Sequence, residues 1–257
     1  MEARRWTREE TILALALYCK IPFGKIHKNN EQIIEVAQSM LRSPASLSMK
    51  MCNFGRFDSE LSSRGIKGLQ HGSKLDQEVW EEFHQDMERL FNEAEKVVTS
   101  IDILLTADEQ TELIIPDGIN VEARSSSRRG QAFFRSTVLS AYNNTCCITG
   151  LDIPKLLQAS HIKSWADSNP VTERNNPTNG LCLNYLHHKA FDEGYITIDT
   201  DYRILVSSEI KDRCTSQTYQ DFFAKYEGKK IILPQRFLPS TEMIIQHNSL
   251  YFGRNAH

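Results

Sequence analysis

The sequence predicts an α+β protein in which a helical, helix-turn-helix-like region comes first and a compact strand, loop, strand, helix unit follows. Three observations carry that expectation. Residues 1–98 repeat apolar side chains at the helical period behind recognisable caps; Ser125-Ser126-Ser127-Arg128-Arg129-Gly130 has the composition of an exposed linker; and beyond it two short β-like runs bracket a polar, Pro-containing loop, with a short helical run directly behind. The expected organisation is a helical domain over 1–98, a linker over 99–129 and a second domain over 130–257.

The helical region can be justified element by element. Thr7-Arg8-Glu9-Glu10 is a capping box, in which the Thr hydroxyl and the Glu carboxylate each satisfy an orphan backbone N–H, and the apolar run Ile12 to Tyr18 follows, with Pro22 beyond its end. A second helix is expected from Asn29, with Gln32 as reciprocal cap and Ile33, Val36, Ala37, Met40 and Leu41 on its apolar face. Ser43 before Pro44 marks a third start, because Ser is a favoured N-cap and Pro at the first helical position forfeits an N–H that lacks a partner anyway. Only Arg42 separates Leu41 from that cap. Helices joined so tightly, the later one burying Leu47, Met51 and Phe54 while Ser46, Ser48, Lys50 and Asn53 face outward, suit a helix-turn-helix; a bundle with a polar face fits the same pattern. Arg42, Lys50, Arg56 and the stretch Arg64 to Lys74 add local positive charge, which favours DNA. Ser73 opens a further helix through Val98, carrying Val79, Phe83 and Leu90, after which the periodicity weakens and Pro116-Asp117-Gly118 supplies a turn.

The second domain begins with a helix from Gln131 to Tyr142 and the run Cys146-Cys147-Ile148-Thr149-Gly150. A strand over Leu156 to Ile162, a loop through Arg174 to Pro177, a strand over Asn179 to Leu183 and a helix from Tyr185 to Phe191, closed by Glu193-Gly194, come next. Each element carries a polar group at its end: His161, Asn179, then His188 and Asp192, at intervals of 18, 9 and 4 residues. Alone, each has a bland reading: a hydrogen-bonded histidine, an Asn-Gly turn, a carboxylate capping the turn at Gly194. Four in one order are harder to dismiss. His188 and Asp192 stand four apart, so on a helix they share a face and can address a single cation. An imidazole and a carboxylate with open positions suit Mg²⁺, Mn²⁺ or a late first-row ion better than a sulfur-rich structural zinc. That interval selects His188 and leaves His187 to face DNA or solvent. Beyond Asp192, Tyr195 to Asp199 and Arg203 to Ser207 read as a β-hairpin, Lys230 to Pro234 as an added strand, and the final twenty or so residues as a helix and tail without chemistry, covering the back of a unit too small for a core of its own.

These residues resemble the HNH nuclease family, with His161 as the first H, Asn179 as the N and His188 as the second H in His187-His188-Lys189-Ala190-Phe191-Asp192-Glu193-Gly194; the likeness spans roughly Gln131 to Ser207 and is greatest to bacterial restriction-type enzymes. The resemblance implies a ββα unit gripping a divalent metal, Mg²⁺ first with Mn²⁺ or Ni²⁺ as alternatives. It implies His161 as general base, Asn179 holding His161 or the strand ends, and His188 with Asp192 as metal ligands. Histidine suits proton abstraction from water near neutral pH, and a cation suits charge growing on a phosphate. The sequence departs from the family in two places. Where many members carry an Asp or His ligand before the base, this chain has Ser160, at most a weak ligand acting through water. Where many carry two Cys-x-x-Cys pairs, it keeps Cys147 and Cys182 alone, read as small core residues with no structural zinc.

The expected partner is double-stranded DNA, contacted by Arg42, Lys50, Arg128, Arg129, Arg174 and Lys189, with Trp165 beside the site. One site per chain cuts one strand per visit, so a homodimer is expected. The expected role is restriction or anti-phage defence. Two rivals stay open: a nuclease effector whose helical region meets a protein partner or a small-molecule signal of a defence system, and a non-catalytic DNA-binding protein. Composition is compatible with each. At 257 residues, 40% apolar and 25% charged, the chain is an ordinary globular one, not collagenous, disordered or disulfide-dense. No apolar run approaches the ~18 residues of a membrane span. The start, Met1-Glu2-Ala3-Arg4-Arg5-Trp6, leads into charged residues, and the scattered cysteines form no Cys-x-x-Cys pair, so a cytoplasmic protein with free thiols is expected. The net charge of −3 leaves the matter of a polyanionic partner to local clustering.

Overall fold

The computed structural model describes residues 4–69, 72–101 and 121–252, so the expected turn at Pro116-Asp117-Gly118 lies outside the described residues. The chain divides into two compact units, Met1–Thr137 with Pro170–Asn176 and Val138–Asn169 with Pro177–His257. The first is helical and the second carries the strands, an α+β protein as the sequence predicts. Among the described residues no helix is long and apolar enough to cross a membrane.

The helical unit is built round α1 (Arg8–Lys20). Thr7 and Glu10 cap it reciprocally, and every residue from Thr11 to Cys19 is buried, the fate of a helix apolar around its whole circumference. Around it lie α2 (Glu31–Ser39), α3 (Pro44–Phe54), α4 (Ser59–Ser63), α5 (Lys74–Phe83) and α6 (Met87–Ile101), of which α3, α5 and α6 pack directly on α1. Tyr18, Phe54 and Trp80 meet at its centre with ring centroids 5.8 to 6.3 Å apart. Asn30, one residue beyond the expected Asn29, caps α2 by accepting from the N–H groups of Gln32 and Ile33. Ser43 caps α3 with Pro44 at its first position, and Leu41, at φ +53°, makes the tight turn between the two helices. The single helix expected from Ser73 to Val98 is two. Asp86 accepts from the N–H of Arg89 and starts α6 afresh, a side chain competing locally with the helical ladder.

Arg42 and Lys50, expected to reach DNA, are instead internal. The Arg42 side chain is 7% exposed, pairs with Glu10 at 2.7 Å, donates to the carbonyls of Arg4 and Arg5, and lies over the Trp6 ring. Burial alone would raise the Glu10 pKa; Arg42 and Arg4 hold it below the usual carboxylate range. Lys50 is 3% exposed and bonded to Asp76, itself 1% exposed, which also accepts from Asn53 and from the N–H of Ser73. The outward residues of the α2 to α3 connection and of α3 are Leu41, Ser43, Ala45 and Met49, none of them cationic.

Helix α7 (Val121–Ala141) passes through Ser125 to Gly130, where composition suggested a linker. In the second unit β1 (Leu157–His161) and β2 (Gly180–Asn184) pair antiparallel, with His161 opposite Gly180 and Ser160 opposite Leu181. Asn184 ends β2 by capping α8 (Tyr185–Asp192), its side chain accepting from the N–H of His187. Gly194, at φ +72°, closes α8: its N–H reaches the Phe191 carbonyl and that of Tyr195 the Ala190 carbonyl, the paired bonds of a Schellman ending. Helix α8 packs on both strands. A second ribbon, β3 (Ile196–Ile198) with β4 (Ile204–Val206), is the expected hairpin. The expected strand at Lys230 reduces to one bridge with Arg203, because the next N–H groups, of Ile231 and Ile232, turn to the separate carbonyls of Tyr202 and Cys147. Two unanticipated short helices, α9 (Ser208–Arg213) and α10 (Ser216–Phe222), precede the terminal α11 (Thr241–Leu250).

Helix α11 packs on β3, where His247 stacks on Phe191 with centroids 4.0 Å apart and bonds the Thr197 hydroxyl through Nδ1. Burial pushes the His247 pKa down to about 4, against the raising influence of Asn248 and the Phe191 backbone. Two outcomes follow from these packed polar groups. Asp76→Ala leaves the Lys50 ammonium buried without its counter-ion and should cost about 3–5 kcal/mol in urea denaturation; a loss below about 0.5 kcal/mol contradicts the burial. Since the unfolded chain protonates His247 near pH 6.5 and the folded chain near 4, its contribution is whole above pH 6.5 and is lost as pH falls between the two values, about 3 kcal/mol in all. In His247→Gln that part of the slope of unfolding free energy against pH should be missing, and an unchanged slope contradicts the assignment.

Candidate functional site

The site is assembled on β1, the start of β2 and α8. Ser160 is fully buried, and its hydroxyl lies between two side chains of α8: it donates to Asp192 Oδ1 at 3.2 Å and stands 3.0 Å from His188 Nδ1. A serine hydroxyl has one proton, so with that proton on Asp192 its oxygen can only accept from His188. The Nδ1 of His188 therefore carries hydrogen, and in the neutral ring the lone pair is on Nε2. That nitrogen lies 3.5 Å from Asp192 Oδ2.

A cation placed against both atoms would be favoured by the Nε2 lone pair and by the carboxylate charge. The separation suits one ion at roughly 2.0–2.2 Å from each atom. A ring nitrogen that donates to a supporting oxygen while its partner nitrogen points inward is also how metal-binding histidines are commonly oriented. Burial holds the Asp192 carboxyl above its usual range, partly offset by the neighbouring His188 and the Ser160 hydrogen bond. A carboxylate desolvated in this way is one a cation stabilises. Both side chains remain open to solvent, 28% for His188 and 41% for Asp192, which leaves room for further oxygen ligands. Among the described residues no three His, Cys, Asp or Glu side chains gather as a metal cluster. Ser160 orients the His188 and Asp192 pair from beneath.

His161 directly follows Ser160, so its Cα stands about 3.8 Å from that of Ser160 at the end of β1. Its ring stands nearly perpendicular to that of Trp165, at 85° with centroids 5.7 Å apart. Asn179 is completely buried and governs the turn that leaves His161. Its carbonyl oxygen accepts from the N–H of Ile162, its Oδ1 from the N–H of Lys163, and its Nδ2 donates to the Lys163 carbonyl and to Ser168 Oγ. Both faces of the amide are used, which an aspartate of equal size could not match.

The remaining sequence-derived residues are dispersed. The side chain of Arg128 lies outside the described residues, and Arg129 is half exposed and paired with Glu95. Arg174 acts on Glu88, opposing the rise in pKa that burial gives that carboxyl. Lys189 is 70% exposed on α8 and paired with Glu193 one turn on. His187, expected toward DNA or solvent, is buried: Nε2 bonds the Phe222 carbonyl, and the rings of Phe223 and Tyr226 stand perpendicular to it. The unpredicted helix α10 supplies that carbonyl, so no local pattern could have placed it. Cys147 and Cys182 are buried free thiols, with the N–H of Cys147 donating to the Cys182 carbonyl.

Residues 146–199 match the family model described as HNH endonuclease. That segment holds β1, β2, α8 and β3, and with them Ser160, His161, Asn179, His188 and Asp192. No curated protein matches the chain.

Proposed function

We propose that this protein, whose residues 146–199 are an HNH endonuclease match, is a divalent-metal-dependent endonuclease hydrolysing DNA phosphodiesters. The observation that carries the reading is the Ser160 hydroxyl bridging His188 and Asp192, which sets His188 Nε2 3.5 Å from Asp192 Oδ2. His161 takes a proton from water as the water oxygen forms its new bond to phosphorus; the bond to the leaving sugar oxygen breaks, and that oxygen gains a proton from solvent. Asn179 holds the backbone on which His161 ends. Ser160 fixes the His188 ring so that Nε2 keeps the lone pair. His188 and Asp192 would hold the metal. When bound there, Mg²⁺ or Mn²⁺ supplies charge neutralisation for the phosphate oxygens. Lys189, exposed on α8 and paired with Glu193, would meet a neighbouring phosphate on exchanging Glu193 for it.

One such site cuts one strand, so double-strand cleavage in a restriction or anti-phage role calls for a two-fold dimer. For the helical unit a second reading gains support from a specific observation: Arg42 and Lys50 are consumed internally. This favours a regulatory unit that meets a protein partner or a small-molecule signal over one that reads DNA.

The test is cleavage of plasmid DNA under a series of divalent ions. His161→Ala should reduce cleavage by about 100-fold or more while Mn²⁺ binding stays near wild type. His188→Ala and Asp192→Ala should each weaken Mn²⁺ binding by about tenfold or more, with partial recovery of cleavage in excess metal. Undiminished cleavage by His161→Ala contradicts the base, and unchanged Mn²⁺ affinity in both ligand variants contradicts the metal site.

A further inference from the structure

We propose that α11 clamps the two halves of the candidate site together and that Tyr251, just beyond its last turn, is the positioning residue of that clamp, a role that rests on the nuclease reading for its catalytic meaning. Tyr251 lies well outside the segment that matches the nuclease family. Its hydroxyl donates to the carboxylate of Asp167. Asp167 belongs to the turn that follows His161: Ser164 Oγ donates to the same carboxylate oxygen at 2.6 Å, and the N–H groups of Asp167 and Ser168 return to the Ser164 carbonyl. Trp165, whose ring stands perpendicular to that of His161, lies within this turn. One end of Tyr251 therefore fastens the backbone that carries the base and its aromatic neighbour.

The other end fastens α8. The Tyr251 carbonyl lies so close to Gly194 that a Cβ there would collide with it, and Gly194 closes α8 two residues after Asp192. The Tyr251 ring is 5.3 Å from that of His247, which in turn stacks on Phe191, the residue before Asp192. Thr197 and Ile198 hold the same stretch of α11 through His247 and Asn248. A single residue thus touches both the turn behind His161 and the end of the helix bearing His188 and Asp192. A hydrogen bond to an ionised carboxylate is directional and stronger than a neutral one, which is what a positioning contact at an exposed turn requires.

Tyr251→Phe keeps the ring and the carbonyl contact with Gly194 and removes only the hydroxyl. In the full chain, hydrogen exchange at the amides of Asp167 and Ser168 should quicken by about three- to tenfold, with α8 amides unchanged. The turnover number on plasmid DNA with Mn²⁺ should fall by about the same factor, while KM and Mn²⁺ affinity stay within about twofold. Asp167→Asn should act similarly, and the double variant should add little to either. Unchanged exchange at the turn overturns the clamp, as does simple additivity of the two substitutions, and quickened exchange with unaltered turnover overturns the positioning role. Quickened exchange in a chain that cleaves no DNA under any divalent ion supports the clamp and counts against the nuclease reading alone.

Discussion

The single proton of the Ser160 hydroxyl decides how the candidate site is wired. Donated to Asp192, it obliges His188 to offer its own Nδ1 hydrogen to the serine oxygen, and Nε2, 3.5 Å from Asp192 Oδ2, is left with the lone pair. The arrangement needs Ser160 beneath α8, and the β1 to β2 register supplies it. Slipping that pairing by one residue would reverse the faces of Ser160 and His161 and dismantle the site. The Asn184 cap and the Gly194 ending set where α8 starts and stops, so that His188 and Asp192 come over the strand together. Ser160, expected from the sequence as at most a weak ligand, instead bonds both His188 and Asp192.

The helical unit follows a different logic. Its central cations are neutralised from afar in sequence: Glu10 is 32 residues from Arg42, and Asp76 is 26 residues from Lys50. A positive window along the chain therefore says little about positive surface when the acids that answer it arrive through tertiary packing. Breaking either pair would strand a charge in the core, whereas an apolar pair of similar volume could be accommodated, so these contacts speak for a defined arrangement of α1, α3 and α5 more than for stability as such.

What could be read from the sequence was local. Thr7, Ser43 and Ser73 are visible caps because a cap and the backbone groups it satisfies lie within four residues. The candidate site residues were legible for a related reason: each stands at the end of a short element, and their spacing reports the element lengths. The break between α5 and α6, the short helices α9 and α10, and the passage of α7 through a serine-rich stretch were not legible, since the apolar pattern runs on across the first and is too brief or too polar in the others. His187 and Tyr251 needed the fold itself, because the groups that define them come from α10 and from the turn after β1.

The account turns on whether a divalent cation is held by His188 Nε2 and Asp192 Oδ2, 3.5 Å apart. Anomalous diffraction at the manganese edge, from crystals of the full chain grown with a DNA duplex and Mn²⁺, measures this directly. The expected result is a peak within roughly 2.3 Å of both atoms, with a phosphate oxygen among its neighbours. Duplex bound over the site with no peak between these two side chains, or with the metal held elsewhere, would contradict it.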